Sequence, residues 1–297
     1  MLTVGATQDQ PLVSVVMSFH NARDTLLCAI RSLLWQTYPH WELILLDDGS
    51  TDGSAEIPKS IDDSRIRLYG DSLCRGLPAR LNQGVSLARG QYIARMDADD
   101  VAFPERFAKQ VAYLQNHPEV DLLATSTLLM NEHDQAIGLL TAAQSHEEIC
   151  RRPWHGFPMP HPTWMGRAEW FRQNPYDELA RKAQDQSLLY HTYRTSRFAG
   201  LQEVLLGYRY TRLSLHKTLL GRYHYLRAVA ASGAKAHLLA GLVGHGMAGV
   251  RDMASMVLRL ESQVIKTRVQ PINAPLLAEW HALNTRLSYP NQHIGGQ

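Results

Sequence analysis

Gly90-Gln91-Tyr92-Ile93-Ala94-Arg95-Met96-Asp97-Ala98-Asp99-Asp100 is the stretch on which the reading of the fold turns. Tyr92 to Met96 is a short β-prone run introduced by a glycine, and it ends abruptly in a cluster of carboxylates. Working outward, the same grammar repeats. Val13 to Phe19 is an apolar run that begins after Pro11 and stops at His20-Asn21, as a buried parallel strand does. Between Asp24 and Gln36, Leu26, Leu27, Ile30, Leu33 and Leu34 recur at helical spacing, and Pro39 closes the segment. Glu42 to Leu46 predicts a second strand, ending in the polar loop Asp47 to Ser54, which caps a further helix. Arg65 to Tyr69 predicts a third strand, and a helix from Leu77 to Ala88 leads back through Gly90 to the opening stretch. Alternation of strand and helix over the first 110 residues predicts an α/β fold. Its sheet is mostly parallel, with helices on both faces, and ligands sit beyond the carboxyl ends of the strands. The acidic loops at Asp47-Asp48 and at Asp97 to Asp100 both lie at such ends.

The 297 residues, 45% hydrophobic and 20% charged, suffice for a buried core and exclude a disordered chain. Cys28, Cys74 and Cys150 are far apart in sequence, which points to a reducing compartment. Met1 to Gln10 lacks a basic start followed by an apolar stretch, and Ala236 to Val250 is broken by His237, His245 and glycines. A cytoplasmic protein, or one resting on the inner face of a membrane, is expected. Beyond Leu128 the pattern loosens: Asn131 to Gln135 is a polar turn, and Arg152 to Trp164 is a loop rich in proline, histidine and tryptophan. A short helix is expected over Gln184 to Arg194, and Leu205 to Tyr210 returns to the sheet edge. After Leu215 the chain reads as helical, with one apolar stripe of Met253, Met256, Val257, Leu260 and Val264 and another of Leu276, Trp280, Leu283 and Leu287. Such stripes usually face a core.

The net charge of +2 conceals an asymmetry. The last 82 residues hold nine Lys/Arg against three Asp/Glu, a net +6, while the preceding residues hold 21 against 25, a net −4. Such a tail suits an anionic membrane surface or a phosphorylated lipid, and solvated helix faces account for it as well. No nucleic-acid partner is expected.

Asp97-x-Asp99, with Asp100 beside it, suits a hard divalent cation that keeps waters and takes phosphate oxygens; alone, it also reads as a solvated acidic turn. An EF-hand is excluded, because Ala102 and Ala108 stand where its glycine and glutamate belong. Asp48 reads either as an acceptor for a nucleobase N–H or ribose hydroxyls, or as an Asx-turn with Gly49. Neither a Gly-x-Gly-x-x-Gly nor a P-loop occurs, so the chain has neither phosphate cradle.

Four separated motifs now stand in order: Val13-Ser14-Val15-Val16-Met17, Asp47-Asp48-Gly49-Ser50-Thr51-Asp52, Leu81-Asn82-x-Gly84 and Gly90 through Asp100. In order and spacing they resemble the family 2 glycosyltransferases of GT-A type, in their single-domain, non-processive, inverting form. The resemblance covers about Pro11 to Gln115 closely and continues more loosely to about Tyr210. It implies a Rossmann-like GT-A domain with a C-terminal helical extension. The expected boundaries are 11–130 for the nucleotide-sugar half, 131–215 for the acceptor and catalytic-base half, and 216–297 for the extension. It implies a nucleotide diphosphate donor, here a UDP-sugar, and a glycan or polyprenyl-linked acceptor in bacterial surface polysaccharide synthesis. Peripheral membrane contact would run through the basic C-terminal helices.

Residue by residue, the resemblance assigns Ser18 and Asp48 to the nucleoside, Arg75 or Arg80 to the base or diphosphate, and Asp97 to the ribose or donor sugar. Asp99 would hold Mn²⁺ or Mg²⁺. Asp185, in Ala183-Gln184-Asp185-Gln186, matches the catalytic base, with Gln184 departing from the commoner glutamate. His161 matches a histidine at the donor–acceptor boundary, and Trp154 and Trp164 would stack on the acceptor, unless these aromatics fill the loop's own core. Tyr210 stands where relatives often carry a metal-binding histidine, which leaves His216 as a substitute or the cation to Asp99, phosphate and water. The Gln-x-x-Arg-Trp signature of processive synthases is absent, which implies one sugar per encounter. Two alternatives compete: Asp97-Ala98-Asp99-Asp100-Val101 also fits a haloacid-dehalogenase-like phosphotransferase, although Arg95 interrupts the apolar strand that precedes it, and a degenerate transferase would be a non-catalytic scaffold.

Overall fold

The computed structural model describes residues 10–210, 215–257 and 269–288. The strands are β1 (Val13–Phe19), β2 (Trp41–Asp47), β3 (Ile66–Gly70), β4 (Tyr92–Arg95), β5 (Val101–Ala102), β6 (Leu122–Met130), β7 (Ala136–Leu140), β8 (Met165–Arg167) and β9 (Phe198–Arg209). They form one sheet in the order β3-β2-β1-β4-β8-β6-β9-β5, with β7 paired to β6. β3, β2, β1 and β4 run parallel, β8 is antiparallel to β4 and β6, and β9 is parallel to β6. Every residue of β2, β4 and β6 is buried, as expected of strands covered on both faces. The covering helices are α1 (Leu26–Leu34), α2 (Leu77–Leu87), α3 (Arg106–Asn116), α4 (His146–Ile149), α5 (Ala168–Gln173) and α6 (Gln184–Thr192). Gly84 explains its place in the Leu-Asn-x-Gly motif: a Cβ there would lie 2.3 Å from Val16 Cγ1, so only glycine lets α2 sit this close to β1.

The expected α/β alternation is present, with three differences. Where the Asp47–Ser54 loop was expected to cap a helix, there are two 3-10 turns, Ser54–Glu56 and Pro58–Ser60; Pro58 lacks the N–H a continuing helix needs. β9 is twice the expected length and lies inside the sheet, because β5 covers its outer side through the pairs Val101–Gly207 and Ala102–Leu206. The C-terminal region is also more than an appendage. From α7 (Leu215–Ala231), Tyr225 and Val229 join the core that holds α6. The last helix, α9 (Ala274–Ser288), inserts Trp280, Leu283 and Leu287 against Phe103 and Leu128. Trp280 is fully buried and its indole N–H donates to the Asp134 carbonyl at 3.0 Å. The second apolar stripe is thus a core face, whereas Met253 of the first is 49% exposed on α8 (Lys235–Val257). The side chains of Met256 and Val257, with Leu260 and Val264, lie outside the described residues. Among the described residues no helix is long and apolar enough to cross a membrane.

Candidate active site

At the end of β2, Asp48 is buried and held by backbone and guanidinium donors. Its carboxylate accepts from Arg75 N at 2.7 Å, Gly76 N at 3.0 Å and Arg80 Nε at 3.0 Å. Arg80 has no exposed surface. Its remaining nitrogens reach Asp71 Oδ1 and the Leu73 carbonyl, both at 2.6 Å, and Gln83 Oε1 at 2.9 Å. The Arg75 side chain is half-exposed and pairs with Asp71 at 2.6 Å. Arg80 and then Arg75 hold the Asp71 carboxyl well below the usual carboxylate range. Asp48 therefore pins the 71–76 loop over the strand ends, with Ser18, half-buried near the end of β1, beside it in register with Leu46. Gly49, at φ +76° with the loop backbone packed against it, permits the turn.

The loop after β4 has the opposite character. Ligand oxygens of Asp97, Asp99 and Asp100 lie within 4.8 Å of one another. Asp100 is 1% exposed; one oxygen accepts from Arg209 N at 3.0 Å, and Oδ2 has no partner. Burial and then the Asp97 charge push Asp99 up to about 6, and burial with Asp97 and Asp99 raises Asp100 as well. A cluster of crowded, partly unpartnered hard oxygen donors fits a divalent cation such as Mn²⁺ or Mg²⁺. β9 positions this loop, since Arg209 also donates to the Asp99 carbonyl at 3.0 Å and pairs with Asp134. Among the described residues His216 does not join the cluster; it is exposed on α7, and Tyr210 is tied to β6 through its backbone N–H to Met130 O at 2.8 Å.

Between this loop and α6 lies a cavity of about 580 Å³, lined by Asp97, Asp185, Arg95, His161, Gln184 and Tyr208 among others. Asp185 stands in the first turn of α6, and burial raises its carboxyl above the ordinary range. Ala183, left-handed at φ +54°, turns the chain into the helix. Gln186 locks that end in place: its Oε1 accepts from Phe157 N at 2.7 Å, and its Nε2 reaches Asp185 Oδ2 at 3.2 Å. His161 is buried, with Nε2 at 2.8 Å from the Tyr176 hydroxyl, and burial and then Arg95 hold it well below its ordinary value, so the ring is neutral. The two tryptophans do not reach the cavity. Trp164 is fully buried and donates to the Met159 carbonyl, and Trp154 faces His237 of α8 with centroids 5.2 Å apart. Neither is placed to stack on an acceptor.

Sequence reading missed Arg95 as a site residue. It is 4% exposed, lines the cavity, pairs with Asp97, and keeps Nε and Nη1 buried without partners. The signal was present: a charge at the end of a buried strand is costly unless something uses it. Gln186 and Arg209 were also missed, because their roles rest on contacts remote in sequence.

A mixed sheet of this order, with Asp97 of the acidic cluster and the half-buried carboxylate of Asp185 lining one cavity at the strand ends, fits a group-transfer site of nucleotide-binding α/β type. The model of Glycosyl transferase family 2 matches residues 14–203, and the chain belongs to that family. This membership replaces the phosphotransferase alternative. Among its relatives, glycosyltransferase EpsE of Bacillus subtilis is 39% identical over 165 residues, 54% of this chain and 58% of EpsE. A second, from Escherichia coli, is 35% identical over 104 residues, 35% of this chain and 41% of its own. It is described as a UDP-Glc:alpha-D-GlcNAc-diphosphoundecaprenol beta-1,3-glucosyltransferase, WfaP. The matches thus span well under two thirds of these relatives. The fold is shared with mannosyltransferase PcManGT of Pyrobaculum calidifontis, solved in complex with GDP-Man and Mn²⁺, at 14% identity and a TM-score of 0.59 over 96% of this chain and 89% of that one.

Proposed function

We propose that the protein is an inverting, non-processive glycosyltransferase that moves one sugar from a nucleotide diphosphate donor, a UDP-sugar, to a lipid-linked or glycan acceptor in surface polysaccharide synthesis. The observation that carries the reading is the cavity lined by both Asp185 and Asp97, the latter the member of the Asp97, Asp99 and Asp100 cluster that reaches it. WfaP, whose description includes a UDP-sugar donor and a diphosphoundecaprenol acceptor, supports the choice of substrates. Asp48, held by Arg80, and Ser18 would receive the nucleoside, with Arg75 near the diphosphate and Asp97 toward the ribose or sugar. Asp99, with Asp97 and Asp100, would hold Mn²⁺ or Mg²⁺, which when bound neutralises charge on the departing diphosphate. Asp185 takes the proton of the acceptor hydroxyl as its oxygen bonds to the anomeric carbon; the bond from that carbon to the diphosphate oxygen breaks, and configuration inverts. Neutral His161 would orient the acceptor. In this reading 11–130 binds the donor, 131–215 supplies the base and acceptor side, and 216–297 positions the enzyme at its acceptor.

UDP release from a panel of nucleotide sugars, with and without Mn²⁺, tests the reading. Asp185→Asn should lower transfer by about 10³-fold while donor affinity, measured by calorimetry, stays unchanged. The acid limb of the rate profile should lie above the ordinary carboxylate range, because Asp185, whose carboxyl is raised by desolvation, must lose its proton before it can act. Transfer at wild-type rate by Asp185→Asn would remove it as the base, and nucleotide binding without release would make the protein a scaffold.

A further inference from the structure

We infer that α8 is an interfacial helix that docks the protein on an anionic lipid bilayer through Leu239, Leu242, Val243, Met247, Val250 and Met253. These side chains are 49 to 71% exposed. Placed at i, i+3, i+4, i+8, i+11 and i+14 from Leu239, they share one side of the helix, along about 21 Å of its length. The opposite side carries the small residues. A Cβ on Gly241 would lie 3.0 Å from Leu226 of α7, one on Gly244 would lie 2.2 Å from His155, and one on Gly249 would lie 3.1 Å from Arg222. The helix thus packs by its glycines together with Leu238, His237 and His245, and turns most of its large apolar groups outward, the reverse of a helix whose outer face meets water. Contiguous apolar surface of this kind marks a binding face. A groove of about 900 Å³ between α8 and His155 continues it.

Charge selects the occupant. Over α7 and α8 the chain holds Lys217, Arg222, Arg227, Lys235 and Arg251 against Asp252 alone, within the +6 of the last 82 residues. Arg227 pairs with Asp177, and the helix pair remains net positive, so a second copy would set like net charge against it, whereas anionic headgroups complement it. His155 lines the groove and Phe157 lines the cavity, so the docked face and the reaction site share one loop; this clause rests on the function proposed above, and the docking does not. The test is sedimentation of the full chain with vesicles of phosphatidylglycerol and phosphatidylcholine, or of phosphatidylcholine alone. The protein should pellet with the anionic vesicles, less so at high salt. The triple variant Val243→Asp, Met247→Asp, Val250→Asp should partition at least about tenfold more weakly. Val243→Ile, Met247→Leu, Val250→Ile should retain binding. Vesicle-free UDP release by the triple variant reports an intact fold and reads the transferase proposal separately. No pelleting with anionic vesicles, or equal pelleting of the triple variant, overturns the inference. So does a wild-type dimer by light scattering that the triple variant converts to monomer in the absence of vesicle binding.

Discussion

Asp48 and Asp100 are both buried, 6% and 1% exposed, and both belong to loops at the carboxyl end of a parallel strand, yet their surroundings are opposite. Asp48 receives two backbone N–H groups and a guanidinium that is itself fully paired. Asp100 receives one backbone N–H, leaves an oxygen bare, and sits beside Asp97 and Asp99. The first loop is neutralised by the protein; the second crowds three carboxylates together and gives an arginine ion pair to Asp97 alone. Residue type is therefore no guide to role in these loops. What distinguishes them is whether the fold supplies the counter-charge or a ligand must.

The contrast can be broken at four points. The largest effect should come from Asp99→Asn, which is expected to lower Mn²⁺-dependent turnover by about 10³-fold; titrating Mn²⁺ against rate measures it. Next, Asp48→Ala should cost about 3 kcal/mol in a denaturant melt, because it leaves Arg80 buried beside a missing partner. A smaller effect belongs to pH. Asp99 must be ionised to hold a cation and its proton is retained up to about 6, so Mn²⁺ affinity measured by calorimetry should weaken about tenfold per pH unit below that point. The smallest has the opposite sign to Asp48. Because the folded state raises the Asp100 carboxyl, its ionisation costs stability as pH climbs above the unfolded value, and metal-free Asp100→Asn should melt about 2–4 °C higher at neutral pH. That gain should vanish in acid. A lower melting temperature for Asp100→Asn at neutral pH would show that the loop is compensated after all.

Much of the donor half was legible. β1, β2 and β4 are largely apolar runs, α1 and α2 have helical spacing, and Gly84 and Gly90 mark close approaches that exclude a side chain. Legibility fell where stability comes from distant contacts. β9 was half seen because its first residues depend on β6, and Trp164 was read as a ligand platform because an aromatic in a proline-rich loop looks the same whether it faces solvent or core. Trp154 misled for the same reason.

Sequence by itself determined the α/β class, the strand-end placement of both acidic loops and the family, since these rest on periodicity and on motifs that are local in the chain. Only the tertiary structure decided which carboxylates are satisfied, that Arg95 lines the cavity and keeps buried nitrogens unpartnered, that α9 belongs to the core, and that α8 turns its apolar side outward. Charge balance and burial are properties of neighbours brought together from remote positions, and no single segment of the chain contains them.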